Sequence, residues 1–468
     1  FSRDGKIVAE NKPSFVLEMV AENVLDTDAA ITEIAKFVSL ESEQFEQLKS
    51  ELARRRGFDP IVVKTGLSDE EVAAFSVNQH KFPGFRISAK LSRYYPMGEL
   101  MAHVTGYVGR ISEEEANSID ARNYRGNTHI GKNGVEKARE ETLHGEVGFQ
   151  RIEVNAQGRL IRIVDETPPI PGANIYLTID AGLQRAAHEA LGERKGAIVA
   201  INPNNGAVLA FVSRPSFDPN LFVDGISQKN YSALRDDKRR PLFNRALQAQ
   251  YPPGSTIKPM VGLAGLNAGV RSPKQSTWCP GFFRLEGDDH RYRDWKKQGH
   301  GHVDLTDSLA QSCDVYYYAL AKDLTIDGLH NMLSQFGLGA TTGIDLPGET
   351  AGLLPSREWK RRAKSMPWFP GETLIAGIGQ GFMLTSPLQL ATATATIANR
   401  GIRYIPRIVG QIEDAEKLTA TNTGLFRRDP VKVETPQQWR SIIDGMVAVV
   451  HGPRGTARRI GIKSSYRI

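Results

Sequence analysis

Hydrophobic positions in the first third of the chain follow two different spacings. From Ala29 to Gly57 apolar side chains return every three or four residues, which predicts an amphipathic helix that ends at a glycine. Ser68 followed by Glu71 has the spacing of a capping box and predicts the start of another helix. The β-branched run Ile61-Val62-Val63 between them predicts a short strand.

Apolar runs after residue 172 are longer and more regular. Short runs bounded by turn residues predict strands, and helical periods flanked by capping residues predict helices. The predicted strands are 174–180, 196–201 and 207–212, and the predicted helices are 181–191, 255–270 and 387–399. Asn202 to Gly206 joins two of the strands and predicts a hairpin. Ser386 is the predicted cap of the last helix.

The order of these elements predicts an α+β fold. Strands and long helices follow one another irregularly, unlike the regular strand–helix repeats of a doubly wound sheet. At 468 residues the chain is too long for one ordinary core. The proline-rich joint at residues 167–172 marks a boundary. We therefore predict an N-terminal domain of residues 1–167 and a second domain of residues 168–468.

The formal net charge of +6 is small for a chain of this length. Basic clusters at 54–56, 239–240 and 360–362 are scattered, so they are predicted to be solvated surface and nucleic-acid binding is not expected. A small net positive charge is more typical of a protein that works near an anionic polymer or a membrane surface than of one that binds nucleic acid. No run approaches the roughly 18 apolar residues of a membrane span. Because the chain opens at Phe1, we expect a signal or anchor segment before it.

The clearest candidate for chemistry is the segment Tyr251 to Pro259. Its prolines and glycine stop the chain just before a predicted helix, so Ser255 is expected in the first turn, with Lys258 one turn further on the same face. A serine hydroxyl becomes a good nucleophile only when a neighbouring base takes its proton. A lysine in an environment that favours its neutral form is such a base. The pattern predicts Ser255 as nucleophile and Lys258 as base.

A second motif strengthens this interpretation. Ser-x-x-Lys alone is expected by chance about once or twice in a chain this long, so it is weak evidence. Penicillin-binding proteins and serine β-lactamases combine it with a Ser-x-Asn motif and a Lys-Thr-Gly motif. Here Ser312-Cys313-Asp314 follows at a plausible distance. Ser312 is predicted to pass a proton between the lysine and the leaving group, and Asp314 to anchor a substrate amide.

Further stretches resemble one family, the class B penicillin-binding proteins, and the similarity extends over nearly the whole chain. The stretches that carry it are 2–9, 93–96, 103–107, 131–145, Gly377-Ile378-Gly379-Gln380-Gly381 and 385–389. Residues 218–226 and 292–296 resemble the elongation-type branch of the family. Each stretch alone is a loop or a helix cap, but all of them in this order are typical of the family.

The resemblance implies both the fold and the reaction. It implies an elongated, non-catalytic pedestal followed by a serine β-lactamase/transpeptidase-like domain, in which helices flank an antiparallel sheet. The reaction implied is D,D-transpeptidation of peptidoglycan during cell elongation. Ser255 would attack the penultimate D-Ala of a stem peptide, and the acyl group would pass to an amine of a neighbouring stem. β-Lactams would acylate the same serine. The resemblance assigns Asp314, Gly379 and Gln380 to substrate binding, and it implies no cofactor for catalysis.

The resemblance also implies the location and the partners of the protein. The pedestal is expected to dock a membrane-embedded glycan polymerase of the SEDS type within the rod-elongation complex, and a passive spacer is the alternative. A single-pass N-terminal anchor would hold the protein at the periplasmic face of the bacterial inner membrane. Stem peptides and β-lactams are the expected ligands.

Two features depart from the family pattern. Asp314 stands where many relatives have asparagine, and an ionised carboxylate accepts hydrogen bonds but donates none. The third motif is missing, because Lys463-Ser464-Ser465 lacks the glycine that lets a ligand approach a strand. We interpret Lys463 as ordinary surface. The chain is expected to stop just before the family's lysine-serine-glycine strand, so a chain ending at Ile468 should acylate poorly or misfold.

Two other functions remain open on the same scaffold. One is hydrolysis, by a D,D-carboxypeptidase or a β-lactamase, and the other is a β-lactam sensor that is acylated without turnover. Fast hydrolysis needs a positioned base for water, and the sequence places none. The long region before Pro168 is also foreign to compact β-lactamases. Transpeptidation is the preferred interpretation.

The two cysteines suggest a structural metal site. Between Cys279 and Cys313 the chain supplies a carboxylate, Asp294, and an imidazole, His300. Two thiolates, an imidazole and a carboxylate make a tetrahedral set for Zn²⁺, with no open position for catalysis. Cys313 lies inside the second active-site motif, so a metal there would brace it. Some elongation-type relatives carry metal in this region. A disulfide and two buried free thiols are the alternatives.

Overall fold

The computed structural model describes residues 1–40, 48, 52, 60–124, 127–155 and 160–464. The chain forms two compact units. The larger unit comprises residues 1–6, 141–216 and 235–468, and the smaller unit comprises residues 7–140 and 217–234. The predicted boundary after residue 167 falls within the larger unit and stays a prediction.

The two longest described strands, Glu10–Val20 and Phe85–Tyr94, belong to the smaller unit. In chain order the described strands are β1 Glu10–Val20, β2 Pro60–Leu67, β3 Phe85–Tyr94, β4 Val108–Arg110, β5 His129–Gly131, β6 Phe149–Val154, β7 Leu160–Thr167, β8 Asn174–Leu177, β9 Gly196–Ile201, β10 Val208–Arg214, β11 Thr277–Cys279, β12 Phe282–Phe283, β13 Tyr292–Arg293, β14 Gly301–Val303, β15 Arg403–Tyr404, β16 Val409–Glu413, β17 Ala420–Asn422 and β18 Arg427–Arg428.

The longest described helices belong to the larger unit. In chain order the α-helices are α1 Thr27–Ile34, α2 Asp69–Asn78, α3 Ala102–Thr105, α4 Glu113–Ala116, α5 Gly134–Ala138, α6 Glu140–His144, α7 Ala181–Leu191, α8 Asn220–Val223, α9 Gln228–Asp236, α10 Arg245–Gln248, α11 Lys258–Asn267, α12 Leu305–Ala310, α13 Asp314–Gln335, α14 Arg357–Lys364, α15 Pro370–Gly377, α16 Pro387–Ala398, α17 Pro436–His451 and α18 Arg458–Lys463. Helix α13 is kinked at Thr325.

The smaller unit is built on an antiparallel sheet in the order β2-β1-β3. The register pairs Phe15 of β1 with Ala89 of β3 and with Leu67 of β2. Side chains from the sheet and from α1 and α2 fill its core, among them Leu17 and Ile34, both fully buried. Four successive residues of β1, Val16 to Met19, are buried, so this part of the central strand is enclosed on both of its faces.

The core of the larger unit surrounds helix α11. Every residue from Lys258 to Leu266 is buried, which is the environment of a helix that is apolar on all sides. Helices α12, α13 and α17 pack around it and contribute Leu305, Tyr317 and Ile442. The unit also contains antiparallel sheets, among them β17-β16-β8 and β10-β9. The predicted combination of antiparallel sheet and flanking helices is confirmed.

Most local predictions agree with the structure. The predicted hairpin is the antiparallel pair β9–β10, and the helix predicted at 181–191 is α7. Both Ser68 and Ser386 form complete capping boxes at their helices. The helix predicted at 255–270 begins as a 3-10 turn over Gly254–Ile257 and continues as α11.

The continuous helix predicted from Ala29 to Gly57 is wrong in its first part. Helix α1 ends at Ile34, and the next residues form turns in which the N–H groups of Phe37 and Val38 donate to Ile34 O. Val38 is buried by this turn, so the apolar spacing there does not require a helix. Residues 41–47, 49–51 and 53–59, including the basic cluster 54–56, lie outside the described residues.

None of the helices in the described part of the chain combines the length and the apolar character needed to cross a membrane.

Candidate active site

Ser255 stands where an extended segment turns into helix α11. Tyr251 forms an antiparallel bridge with Thr385, and the chain then turns at Gly254, whose φ of 58° lies in the left-handed region. Glycine adopts this conformation without steric cost. The 3-10 turn that follows leaves Ser255 exposed at the start of an otherwise buried helix. The local sequence therefore presents a hydroxyl to solvent on a rigid support.

Ser255, Ser312 and Lys258 form one chain of hydrogen bonds. Ser312 Oγ donates to Ser255 Oγ at 3.0 Å, and Lys258 Nζ donates to Ser312 Oγ at 3.1 Å and to Ser312 O at 2.9 Å. Lys258 is only 2% exposed. The structure thus brings together the three residues predicted to be catalytic. The lysine reaches the nucleophile through the Ser312 hydroxyl.

A tight turn between α12 and α13 places Ser312. Its φ is 54°, in the left-handed region that non-glycine residues rarely adopt. Cys313 follows as the N-cap residue of α13, and Asp314 is the first residue of that helix. Strained backbone of this kind is often found where a side chain must point in one direction. Here the strain directs the Ser312 hydroxyl toward Ser255.

Asp314 is paired with the lysine. Its Oδ1 accepts from Lys258 Nζ at 2.7 Å, and its Oδ2 accepts from the Trp295 backbone N–H at 3.3 Å. The Lys258 ammonium also lies 5.3 Å from the centre of the Tyr317 ring, within the range of a cation–π interaction. Asp314 therefore balances the charge of a buried lysine, a contact that the motif alone did not predict.

Gly379 and Gln380 lie against the turn that carries Ser255. Gly379 O accepts from the Gly254 N–H at 2.8 Å, and a Cβ at Gly379 would lie 2.3 Å from Gly254 O. Only glycine permits this approach. Gln380 is exposed, and its side-chain nitrogen lies beside Gly254. Both residues predicted to bind substrate thus border the nucleophile.

Lys463 lies at the end of α18 and is exposed. This position agrees with its interpretation as ordinary surface. Ser465 is the last residue of the run Lys463-Ser464-Ser465, which was compared with the family's third motif, and it lies outside the described residues.

The four residues predicted to bind metal form one buried cluster. The ligand atoms of Cys279, Asp294, His300 and Cys313 all lie within 4.8 Å of one another. Asp294 Oδ2 is 3.5 Å from Cys279 Sγ and 3.4 Å from Cys313 Sγ, and His300 Nδ1 is 3.6 Å from Cys279 Sγ. The two cysteines are free thiols in the structure, not a disulfide. Burial raises the pKa of both thiols.

This cluster lies directly behind the second motif. Asp294 Oδ2 accepts from the Val315 N–H at 3.1 Å in the first turn of α13. Cys313 is flanked by Ser312 and Asp314 in the chain. The cluster therefore lies next to Ser312 and Asp314, the two residues that contact Lys258.

Trp295 is a site residue whose role the sequence did not reveal. Its indole Nε1 donates to the carbonyl oxygens of Gln311 and Ser312 at 3.1 and 3.2 Å, while its backbone N–H donates to Asp314. In the sequence, Trp295 stands out only as part of the stretch 292–296, which resembles the elongation-type branch of the family. Its contacts depend on the folding of the 279–303 segment onto the turn before α13, which no local pattern reports.

Two family models match this chain. The penicillin binding protein transpeptidase domain matches residues 196–468, and the penicillin-binding protein dimerisation domain matches residues 1–177. Together they cover most of the sequence.

Individual proteins give the same result. The chain is 42% identical over 462 residues to the peptidoglycan D,D-transpeptidase MrdA of Acinetobacter baumannii, covering 98% of this chain and 68% of that protein. It is similar to the penicillin-binding protein PBP2 of Helicobacter pylori, solved in complex with MreC, with a TM-score of 0.86, 29% identity, and coverage of 100% and 84% of the two chains. A solved peptidoglycan synthase complex that coordinates polymerization and crosslinking gives a TM-score of 0.75, 30% identity, and coverage of 99% and 78%.

Proposed function

The chain belongs to the elongation-type class B penicillin-binding proteins, and from this premise we propose that Ser255 is the nucleophile of its reaction. The protein is a serine-type peptidoglycan D,D-transpeptidase and a target of β-lactams, and this catalysis needs no cofactor. The transpeptidase interpretation is confirmed over the hydrolase and the sensor. The observation that supports the role of Ser255 is its 3.0 Å hydrogen bond from Ser312, which is itself bonded to Lys258.

The proposed first step is acylation of Ser255. The Ser255 hydroxyl attacks the carbonyl carbon of the penultimate D-Ala while its proton passes to Ser312 and onward to Lys258, which enters this step neutral after its resting ammonium has given a proton to solvent. Ser312 then returns a proton to the departing D-Ala nitrogen. The products are an ester on Ser255 and free D-Ala. In the second step an amine of a neighbouring stem attacks that ester and Ser255 regains its proton.

Asp314 has two proposed roles in this cycle. Its carboxylate stabilises the Lys258 ammonium that forms when the lysine accepts a proton. The Asp314 side chain is 15% exposed, and its second oxygen, which accepts from the Trp295 N–H, is proposed to accept from a substrate amide as well. Gly379 and Gln380 are proposed to bind the same substrate, because both border the Ser255 turn.

The pedestal of residues 1–167, most of which lies in the smaller unit, is proposed to act as an interaction module. We propose that it docks a membrane-embedded glycan polymerase of the SEDS type and contributes to the rod-elongation complex. The likeness to a complex that coordinates polymerization and crosslinking supports this, as does the likeness to a PBP2 solved with MreC. The protein is proposed to work at the periplasmic face of the inner membrane, held by an N-terminal anchor.

The buried cluster is proposed to hold a structural Zn²⁺. Bonds of about 2.0–2.3 Å from a tetrahedral zinc place neighbouring ligand atoms about 3.3–3.8 Å apart. Three of the separations, 3.4–3.6 Å, fall in this range, and all four ligand atoms lie within 4.8 Å of one another. The residues Cys279, Asp294, His300 and Cys313 would supply all four ligands, so the ion would have no open position for substrate. Its effect would be to fix the turn that carries Ser312.

The role of Ser255 is tested by covalent labelling with a labelled penicillin. Ser255→Ala should give no adduct by intact-mass spectrometry and should keep the melting temperature of the parent protein, because only an exposed hydroxyl is lost. Ser272→Ala, which changes another exposed serine of the larger unit, should label to the same extent as the parent protein. Normal labelling of the Ser255 variant would contradict the proposal.

A further inference from the structure

Two arginines of the larger unit face each other across a short pair of strands. Arg403 of β15 is directly opposite Arg428 of β18 in the antiparallel register, and the next pair is Tyr404 with Arg427. Directly opposite residues of antiparallel strands place their side chains on the same face, with Cβ atoms about 4.5–5.5 Å apart. Two like charges at this separation repel each other and destabilise the strand pair. A negative charge between them would remove this repulsion.

Neither guanidinium group has a partner in the part of the chain that the structure describes. There, the side chains of Arg403 and Arg428 form no hydrogen bond, and no carboxylate oxygen lies within 4 Å of them. Arg403 Nε is buried without a hydrogen-bond acceptor, and an unpaired buried donor is costly. The neighbouring Arg427 differs, because its Nη2 donates to the Tyr404 hydroxyl oxygen at 2.6 Å. The unpaired state is therefore particular to the two opposed arginines.

Both guanidinium groups lie against one loop, residues 337–343. A Cβ at Gly337 would lie 2.7 Å from Arg403 Nη2, and a Cβ at Gly343 would lie 3.1 Å from Arg428 Nη2. Both glycines have a left-handed φ, 85° and 86°, a conformation that glycine adopts without steric cost. The loop therefore leaves room for two cationic groups to converge on it.

The two arginines border one small cavity at this loop. Its volume is about 10 Å³, which admits a single species about as large as a water molecule. Thr342 also lines the cavity. The Thr342 hydroxyl oxygen accepts from the Ile344 N–H at 3.3 Å, so the hydroxyl hydrogen is available for donation to a ligand. The cavity thus brings together two cations and one hydroxyl donor.

Two acidic side chains near the pair form no ion pair with it. Each oxygen of Glu349 accepts from one backbone N–H group of residues 342–343, at 2.7 and 3.1 Å. Asp429 is the chain neighbour of Arg428, and its oxygens lie more than 4 Å from both guanidinium groups. Burial lowers the pKa of Arg403, the charge of Arg428 lowers it further, and Asp429 opposes both effects without reversing them. The positive charge of the pair is therefore left without a direct partner.

We propose that this cavity, the Arg403–Arg428 site, binds one small monovalent anion of the size of chloride. The anion accepts from both guanidinium groups and from the Thr342 hydroxyl. It thereby removes the repulsion between β15 and β18 and ties the strand pair to the loop 337–343. A water molecule fits the same volume but leaves the two charges uncompensated. The inference goes beyond the proposed function and does not depend on it, since the ligand is structural.

The experiment compares melting temperatures in two sodium salts at equal ionic strength, sodium chloride and sodium gluconate. Gluconate is too large for the cavity. Chloride in about tenfold excess over its dissociation constant should raise the melting temperature of the parent protein by about 2–4 °C relative to gluconate. Arg403→Gln and Arg428→Gln should each lose most of this rise, because each variant removes one of the two charges. General salt effects act on all variants alike and cancel in the comparison.

Arg427→Gln is the matched control. Arg427 precedes Arg428 on β18 but already donates to Tyr404, so this variant should keep the full chloride-dependent rise. Penicillin labelling of Ser255 should be unchanged in all three variants, so the fate of this proposal is separate from that of the proposed function.

Bromide gives a direct readout of the site. In crystals soaked in sodium bromide, anomalous scattering should show one bromide ion between the Arg403 and Arg428 guanidinium groups. A parent protein with the same melting temperature in chloride and gluconate would overturn the proposal. An equal chloride-dependent rise in the parent and in Arg403→Gln would do so too, as would an ordered water at the site without any bromide signal.

Discussion

At the scale of single residues, the Ser312 hydroxyl is the link between the nucleophile and the lysine. It lies 3.0 Å from Ser255 Oγ and 3.1 Å from Lys258 Nζ. Lys258 has no hydrogen bond to Ser255 among those of the described residues, so the proton path depends on a side chain from another helix. The contribution of Ser312 is therefore separable from that of the lysine.

Removing that hydroxyl should slow acylation strongly. Ser312→Ala and Ser312→Gly are both expected to lower the rate of penicillin acylation by about 10²–10⁴-fold, the usual contribution of a proton-transferring group. Glycine relieves the left-handed φ at this position and alanine does not, so equal losses would assign the effect to the hydroxyl. Stopped-flow acylation measures it, with the exposed Ser334→Ala on α13 as control. A rate within twofold of the parent would exclude the relay.

The proposed zinc site gives a second prediction at this scale. His300→Ala should lower the metal content well below one ion per chain and lower the melting temperature, and a chelator should destabilise the parent protein but have little effect on the variant. His302→Ala is a matched control, because His302 is exposed on β14, the strand that begins directly after His300. Metal analysis by mass spectrometry decides it. Well below one zinc per chain in parent protein purified without chelator would contradict the site.

At the scale of elements, the capping box of α2 extends into a small polar cluster. Glu71 Oε1 accepts from Lys64 Nζ at 2.6 Å and from Ser39 Oγ at 2.8 Å, while Oε2 accepts from the Ser68 N–H at 3.1 Å. Burial alone would raise the pKa of Glu71, but the hydrogen bonds from Lys64, Ser39 and Ser68 outweigh it and lower the pKa to about 2. One carboxylate thus joins a helix cap, a strand and a turn.

The lowered pKa predicts an acid-dependent stability. A folded pKa below the ordinary value of 4.5 stabilises the smaller unit above about pH 4.5, and this contribution is lost as pH falls toward 2. Glu71→Gln should lower the melting temperature at pH 7, and the difference from the parent should shrink between pH 4.5 and 2. Calorimetry across this range measures it. The exposed Glu114→Gln should show no such difference, and a gap that persists at pH 2 would count against the cluster.

At the scale of the whole molecule, the smaller unit should matter for partners and not for acylation. Three large apolar side chains of this unit, Leu25, Val77 and Leu91, are 105%, 75% and 72% exposed. Exposed apolar residues of this size are candidates for a protein interface. They are the natural positions at which to test the proposed docking of a glycan polymerase.

Serine substitutions at these three positions should leave penicillin labelling intact. In a reconstituted pair with the polymerase they should reduce glycan synthesis, because apolar contact area is lost at the interface. Glu114→Gln, a polar change on the same unit, should not. Full polymerase activation by all three variants would favour the passive-spacer alternative.

Local chemistry made much of this protein predictable. Some elements depend only on contacts between residues close together in the chain, so the sequence alone predicts them. These are the capping boxes at Ser68 and Ser386, the β9–β10 hairpin and helix α7. The same holds for the turn that exposes Ser255, which prolines and a glycine impose. After Ile34 the apolar side chains pack into the core from turns, so the helix predicted there from their spacing is wrong.

Tertiary structure decided how the chemical groups meet. The sequence identified Ser255, Lys258, Ser312 and the four residues of the buried cluster as separate candidates. Only folding revealed that Ser312 bridges serine and lysine, and that Asp314 pairs with Lys258 while Trp295 holds its other oxygen. The physical reason is that hydrogen bonds and ion pairs act over about 3 Å. Side chains from distant parts of the chain come that close only when helices α11, α12 and α13 pack around one core.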